Sequence, residues 1–180
     1  MECVTWVTYY RREWVKFLRA AVLVVRHAFG LPWLATFYGA WLVLRANQLW
    51  APPVDNDPAG ARRAMQRFYA LVKAEHDEGY DPAVAAELEV EWWRIHREHQ
   101  RDGSHLDEQA LIAALTRLYA YAYGVPEPSV VLAAEQRALA MSLSDRWVKE
   151  GCDLASPLVG DERAALVRSY AALLAAVHTS

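Results

Sequence analysis

The chain has few of the residues that usually identify a chemistry. Its two cysteines, Cys3 and Cys152, lie far apart, so we expect neither a disulfide framework nor a cysteine metal motif. Scarce cysteine fits a reducing cytoplasm. The sequence has no glycine-rich phosphate loop, no Gly-x-Ser-x-Gly and no dinucleotide fingerprint. Hydride transfer, P-loop hydrolysis and serine hydrolase chemistry are therefore poor interpretations.

Long uninterrupted apolar runs are also missing. Residues 20–44 are the most apolar stretch, but Arg26, His27, Gly30 and Pro32 interrupt them. Neither half reaches the roughly 20 residues that a spanning helix needs. No small-residue cleavage site follows an apolar run near the start, so we expect no signal peptide.

Lysine is scarce, because only three of the 19 basic residues are Lys. This preference for Arg, with abundant Ala and Val, is typical of a GC-rich bacterial genome. The net charge is −3, which argues against general nucleic-acid binding. Residues 1–50 carry six basic and two acidic side chains, net +4, which leaves −7 for the rest. The N-terminal segment is thus a candidate for contact with an anionic surface.

What the chain does have is helical periodicity. With 180 residues, 54% hydrophobic and 23% charged, it predicts one compact all-α domain spanning 1–180. Asp57-Pro58 and Asp81-Pro82 are typical helix starts, because an acceptor precedes a proline. Gly30, Gly79, Gly124 and Gly151 fall where periodicity ends. The seven predicted helices are 8–29, 31–50, 58–78, 82–101, 106–122, 128–150 and 161–178. The second, apolar on every side, is expected to lie buried at the centre of the bundle.

The segment 89–100 concentrates reactive side chains on the fourth helix. On a helical wheel His99 shares a face with Trp92 and other apolar residues, and Glu91 lies at the edge of that face. His99 oriented by Glu91 is a candidate general base. With His96 one turn away, it is also a candidate ligand for a metal or haem, although the spacing matches neither Glu-x-x-His nor His-Glu-x-x-His. The alternative is a His hydrogen-bonded in a helix interface, with His96 solvated.

Further candidates lie on the second and sixth helices. Arg45 falls on the helix expected to be most buried, where an arginine needs a partner. It is predicted to anchor a negative group of a substrate, to form a structural ion pair with Glu91, Glu135 or Asp145, or simply to lie at a more exposed end of the helix. Glu135 belongs to a polar strip on the sixth helix that also carries Ser142 and Asp145. Such a strip is typical of a solvated helix face, but here it is also a candidate binding surface.

Two functions follow from these patterns. The first is an enzyme acting on a small, largely apolar molecule, in a pocket between the second, fourth and sixth helices lined by Trp92, Tyr38, Trp41 and Glu135. His99, Glu91 and Arg45 would be its catalytic residues, and the cofactor is left open.

The alternative is a non-catalytic helical module that binds an acidic protein partner, a membrane surface or a hydrophobic ligand. It would use the aromatic first helix and its basic stripe of Arg12, Lys16, Arg19 and Arg26. An ordinary solvated helix face explains the same stripe, and the oligomeric state is not predicted.

Overall fold

The computed structural model describes residues 2–52, 54–102 and 105–178, with every side chain in these ranges except those of 101–102 and 105–107. In this part of the chain the regular elements are all α-helices, which confirms the all-α prediction. The described residues form eight helices: α1 (Glu2–Tyr10), α2 (Trp14–Phe29), α3 (Trp33–Trp50), α4 (Pro58–His76), α5 (Pro82–Asp102), α6 (His105–Tyr123), α7 (Glu127–Lys149) and α8 (Pro157–His178).

The helix beyond the predicted seven is α1, which begins at Glu2, before the segment predicted as 8–29, and ends inside that segment at Tyr10. Arg12 adopts a left-handed conformation with φ 56°, and the backbone N–H of Glu13 donates to Thr8 O at 2.8 Å. The Glu13 carboxylate then binds Arg11 and Lys16. No Gly or Pro occurs at this turn, and the helical period of apolar residues runs through it. The sequence therefore carries no sign that one helix ends here and another begins.

The helix termini mostly follow the sequence signals. Asp57 caps α4, because its Oδ1 accepts from the Gly60 N–H at 2.7 Å. Gly30 ends α2 with φ 59°, a conformation in which a Cβ is unfavourable. At the end of α4 the left-handed position is taken by Asp77, with φ 52°, rather than by the predicted Gly79.

The helices group into two compact units, Met1–Val90 and Glu91–Ser180, and the boundary falls within α5. Helices that follow one another in sequence pack together. These pairs are α1 with α2, α2 with α3 and α3 with α4 in the first unit, and α6 with α7 and α7 with α8 in the second. That 1–180 folds as one domain stays a prediction.

The core of the first unit is aromatic. Phe68 of α4 meets Phe29 edge-on, with ring centroids 5.2 Å apart. Gly39 of α3 lies against the same ring, where an added Cβ would be 3.3 Å from Phe68 Cε2. The Tyr69 hydroxyl donates to Glu89 Oε2 at 2.8 Å. Small and flat side chains thus let α3 and α4 approach closely.

The core of the second unit is built on small residues along α7. Ala133, Ala134 and Ala138 are fully buried, and the Ser169 hydroxyl of α8 donates to the Ala133 carbonyl at 2.7 Å. Trp147, also fully buried, donates its indole N–H to Asp153 O at 2.7 Å. The hydrogen bond of Trp147 therefore fixes the C-terminal end of α7, close in sequence to Ser144 and Asp145.

α3, the helix read as apolar on every side, has one buried and one exposed face. Thr36, Ala40 and Leu42 are buried, whereas Leu34 is 86% exposed and Trp33 56% exposed. No helix in the described ranges has a stretch long and apolar enough to cross a membrane.

Candidate functional site

The candidate site lies in the second unit, between the C-terminal half of α5 and the C-terminal half of α7. At 100° per residue, Trp92, His96, His99 and Gln100 share an arc of about 100° on α5. Asp145 of α7 faces two of them. Its Oδ2 lies 3.0 Å from His96 Nε2, and its Oδ1 accepts from Gln100 Nε2 at 2.5 Å.

The His96–Asp145 pair is largely removed from water. The His96 side chain is 12% exposed and that of Asp145 is 10% exposed. Burial alone would raise the pKa of Asp145, because it disfavours the charged form. The hydrogen bond of His96 and its charge when the ring is protonated, the hydrogen bond from Gln100 and the charge of protonated His99 outweigh burial and lower that pKa. Asp145 is therefore a carboxylate at neutral pH.

An ionised carboxylate decides which nitrogen of His96 carries a proton. A carboxylate only accepts hydrogen bonds, so Nε2 of His96 must be protonated to bond it at 3.0 Å. In the neutral imidazole the remaining nitrogen, Nδ1, is then the acceptor. The pair thus has the chemistry of an oriented general base.

Three buried polar atoms on the same two helices have no hydrogen-bond partner among the described residues. They are Trp92 Nε1, His99 Nδ1 and Ser144 Oγ. Leaving such a group unpaired costs about 1–3 kcal/mol, so native structures rarely do so without water or a ligand. The indole of Trp92 also lies 5.8 Å below the guanidinium of Arg137 and 6.5 Å from the His96 ring. Trp92 therefore lies beside His96, the charge of His99 acts on Asp145, and Ser144 directly precedes Asp145 on α7.

Two candidate residues, Glu91 and His96, have surroundings different from those expected from the sequence. Glu91, expected to orient His99, instead binds Arg94, with Oε1 2.8 Å from Nη2, and its side chain is 39% exposed. Arg94 also binds Glu98, and the hydrogen bonds to Glu91 and Glu98 raise the Arg94 pKa. His96, expected on the solvated flank, is the residue that holds the buried carboxylate. Glu91 thus has a partner one turn along its own helix, and its assignment as the group that orients His99 stays a prediction without added support.

The remaining predicted residues are exposed. Arg45 has its side chain in solvent, which agrees with the alternative of a more exposed helix end, and its role as a substrate anchor stays a prediction. Tyr38 and Trp41, also on α3, stack on each other at 6.0 Å and are each 46% exposed. Glu135 is exposed on α7, on the solvated side of the predicted polar strip. Of the predicted set, Trp92, His96 and His99 are the ones that share the α5 face opposite Asp145.

Sequence reasoning linked none of Asp145, Gln100 and Ser144 to His96. Asp145 was placed on the polar strip of the sixth helix and named as a possible partner of Arg45, and Gln100 and Ser144 were not singled out. One signal was available for Gln100, because it stands one turn after His96 and two turns after Trp92.

Nothing favours a metal at this cluster. Within the described ranges, no three His, Cys, Asp or Glu side chains are gathered closely enough to hold an ion. The Nε2 of His96 is already engaged by Asp145. Ligation of a metal or haem by His99 or His96 therefore stays a prediction without added support.

A cleft of about 300 Å³ lies elsewhere in the second unit, on α6 and the start of α7. Thr116, Arg117, Glu127 and Val131 are among its lining residues. Val131 and Asp145 are 14 residues apart on one helix, or about 21 Å at 1.5 Å per residue. The cleft is therefore separate from the His96–Asp145 pair.

Comparison with protein families, with curated proteins and with solved structures finds no match for this chain.

Proposed function

We propose that the second unit is an enzyme domain that binds a small, largely apolar molecule between α5 and α7 and uses His96 as a general base. The observation that supports this most is the buried His96–Asp145 pair, with three buried polar atoms on the same two helices that have no hydrogen-bond partner among the described residues. The role first assigned to His99 and Glu91 passes to His96 and Asp145.

Each residue then has a distinct part. Asp145 holds the His96 ring and its tautomer, and Gln100 fixes the other carboxylate oxygen. Nδ1 of His96 accepts the proton from the bound molecule. Trp92 Nε1 is a donor only, so it binds an oxygen acceptor of that molecule, with His99 Nδ1 and Ser144 Oγ as further partners.

This assignment restricts the ligand. It is apolar enough to lie against the Trp92 indole and carries at least one carbonyl, carboxyl or hydroxyl oxygen. It also carries an acidic hydrogen, such as one on the carbon next to a carbonyl. Small ketones and short-chain carboxylic acids with an aromatic group have these features, and they make suitable probes.

Hydrogen–deuterium exchange in D₂O tests the proposal without knowledge of the natural reaction. Phenylacetone and related aryl ketones would be incubated with the protein, and loss of the signal of the hydrogens next to the carbonyl followed by proton NMR. We expect exchange above the buffer rate, reduced about 10²-fold or more in His96→Gln, since general-base catalysis contributes about that much.

His27→Gln is the matched control, because His27 is an exposed histidine in the first unit. Arg45→Ala is a second control, since Arg45 is now found in solvent. The proposal fails if no aryl ketone binds or exchanges above buffer, or if His96→Gln and His99→Ala both exchange as fast as the unaltered protein.

A further inference from the structure

α3 exposes a broad face of large apolar side chains. Its exposed positions span an arc of about 140° on the wheel, and its buried ones occupy the opposite side. The exposed set is Trp33, Leu34, Phe37, Tyr38 and Trp41, together with Arg45. The four aromatic rings stack in two pairs, with centroids 5.9 and 6.0 Å apart.

This face is comparable in size to the largest apolar patch of a typical monomeric protein. An aromatic side chain offers about 200 Å², so four rings near half exposure present roughly 400 Å² before Leu34 is added. The largest apolar patch on a monomeric protein is typically about 300–600 Å² and is often functional. A helix that is apolar all round normally has both faces covered. We therefore infer that another surface covers the exposed half of α3.

The neighbouring helix adds cations and further apolar groups. α2 exposes Val15 and Leu23, and also Lys16 and Arg19. Arg26 joins the two helices, because its guanidinium lies 5.2 Å from the Trp33 ring centroid and donates to Gly30 O at 3.2 Å. We call the exposed side of this helix pair, residues 15–45, the α2–α3 face.

The charged side chains of the α2–α3 face are basic, and one of them, Lys16, is paired with Glu13 at 2.8 Å. No Asp or Glu occurs between Glu13 and Asp55, whereas Lys16, Arg19 and Arg26 lie on α2 and Arg45 lies on α3. Such a face attracts an anionic surface and repels a second copy of itself. The basic side chains therefore favour an anionic partner. The large apolar side chains of α3 require that this partner also has an apolar layer beneath its charges.

We propose that the α2–α3 face lies on the surface of an anionic lipid bilayer. Trp and Tyr are the side chains that prefer the interface between headgroups and acyl chains, and basic residues beside them bind anionic headgroups. α3 has 18 residues and includes Arg45, and it is not apolar enough to span the bilayer, so it lies in the membrane plane. Three residues of the predicted basic stripe, Lys16, Arg19 and Arg26, belong to this face. Its aromatic side chains come from α3 rather than from the first predicted helix.

Vesicle co-sedimentation tests this proposal with the full chain. Vesicles of phosphatidylcholine alone and with 30% phosphatidylserine would be compared at about 50, 150 and 500 mM salt. We expect binding to the anionic vesicles at low salt and at least a tenfold loss at high salt, because the Debye length shortens from roughly 14 to 4 Å. Binding should also move tryptophan fluorescence to shorter wavelength.

Two sets of variants separate the apolar and charged parts of the face. Phe37→Glu should reduce binding at least tenfold. Lys16→Gln, Arg19→Gln and Arg45→Gln should each reduce it about fivefold, since a cation near an anionic membrane contributes about that factor. Val167→Glu is the matched control, because Val167 is 61% exposed but lies on α8. Circular dichroism checks that each variant is folded.

Four outcomes would overturn the proposal. They are no binding to anionic vesicles at low salt, equal binding to neutral ones, equal loss in Phe37→Glu and Val167→Glu, or a dimer in light scattering that Phe37→Glu dissolves. The last outcome would assign the face to a second copy of the chain. None of them bears on His96, so this test is independent of the proposed enzyme activity.

Discussion

Replacing Asp145 with asparagine tests how strongly the buried pair holds α5 to α7. Asp145 accepts one hydrogen bond from His96 at 3.0 Å and one from Gln100 at 2.5 Å, and its side chain is 10% exposed. Hydrogen bonds to a charged group contribute about 1.5–3 kcal/mol each. Asparagine keeps one carbonyl oxygen but turns an amide donor toward the other partner, so we expect a loss of about 2–4 kcal/mol.

The loss should depend on pH in a defined direction. Because folding lowers the pKa of Asp145, its contribution to stability is complete above the ordinary value for an aspartate, about 3.9. It is lost as the pH falls through the lower folded-state value. The difference in unfolding free energy between the unaltered protein and Asp145→Asn should therefore be full near pH 5 to 6 and shrink below about pH 4.

Urea unfolding followed by circular dichroism across this pH range measures the difference. Asp161→Asn provides the control, because Asp161 is an exposed aspartate on α8 in the same unit, and it should change stability by less than about 0.5 kcal/mol. The reasoning would be refuted if Asp145→Asn matched Asp161→Asn near pH 6, or if its deficit grew as the pH fell toward 3.

Two further predictions concern stability. Asp57→Ala should remove the side-chain acceptor for Gly60 N–H at the start of α4 and lower the unfolding free energy by about 1 kcal/mol, whereas Asp55→Ala should have little effect in the same urea titration. Arg94→Ala should cost less than about 1 kcal/mol despite contacts with Glu91 and Glu98, because all three side chains are more than a third exposed and water screens them. A loss above about 2 kcal/mol in thermal or urea unfolding would show that the Arg94 pairs are not ordinary surface pairs.

The fold could be predicted largely because its helix ends carry strong local signals. Asp57-Pro58 starts α4, and Gly30 ends α2, as the sequence indicates. The break at Arg12 could not be predicted, because no residue there favours a left-handed conformation and the apolar period runs through it. The exposed face of α3 was missed for a different reason: hydrophobicity indicates that a side chain avoids water, but not which surface covers it.

The placement of some candidate side chains could be predicted from the sequence, whereas their role in a site stays a prediction. The wheel correctly placed Trp92 and His99 on a face with buried polar atoms. The wheel reading also placed Glu91 at the edge of that face and His96 on the flank. Measured around the helix axis, however, Glu91 is about 100° from Trp92, whereas His96 is only about 40° from it. The partner of His96 stands 49 residues away on α7, and no local pattern reports such a contact. The geometry of one helix therefore predicts which face of α5 is buried, but it does not predict the contact between His96 and Asp145.

The packing of α1 to α4, and of α6 to α8, against their neighbours in sequence has a consequence for how the chain folds. Within each unit, helices such as α2 and α3, or α7 and α8, can form hairpins after closing only short loops, which costs little chain entropy. Proteins with such local contacts fold in microseconds to milliseconds. The bond between His96 and Asp145 closes a far longer loop, so we expect the reactive pair to assemble after the hairpins that carry it.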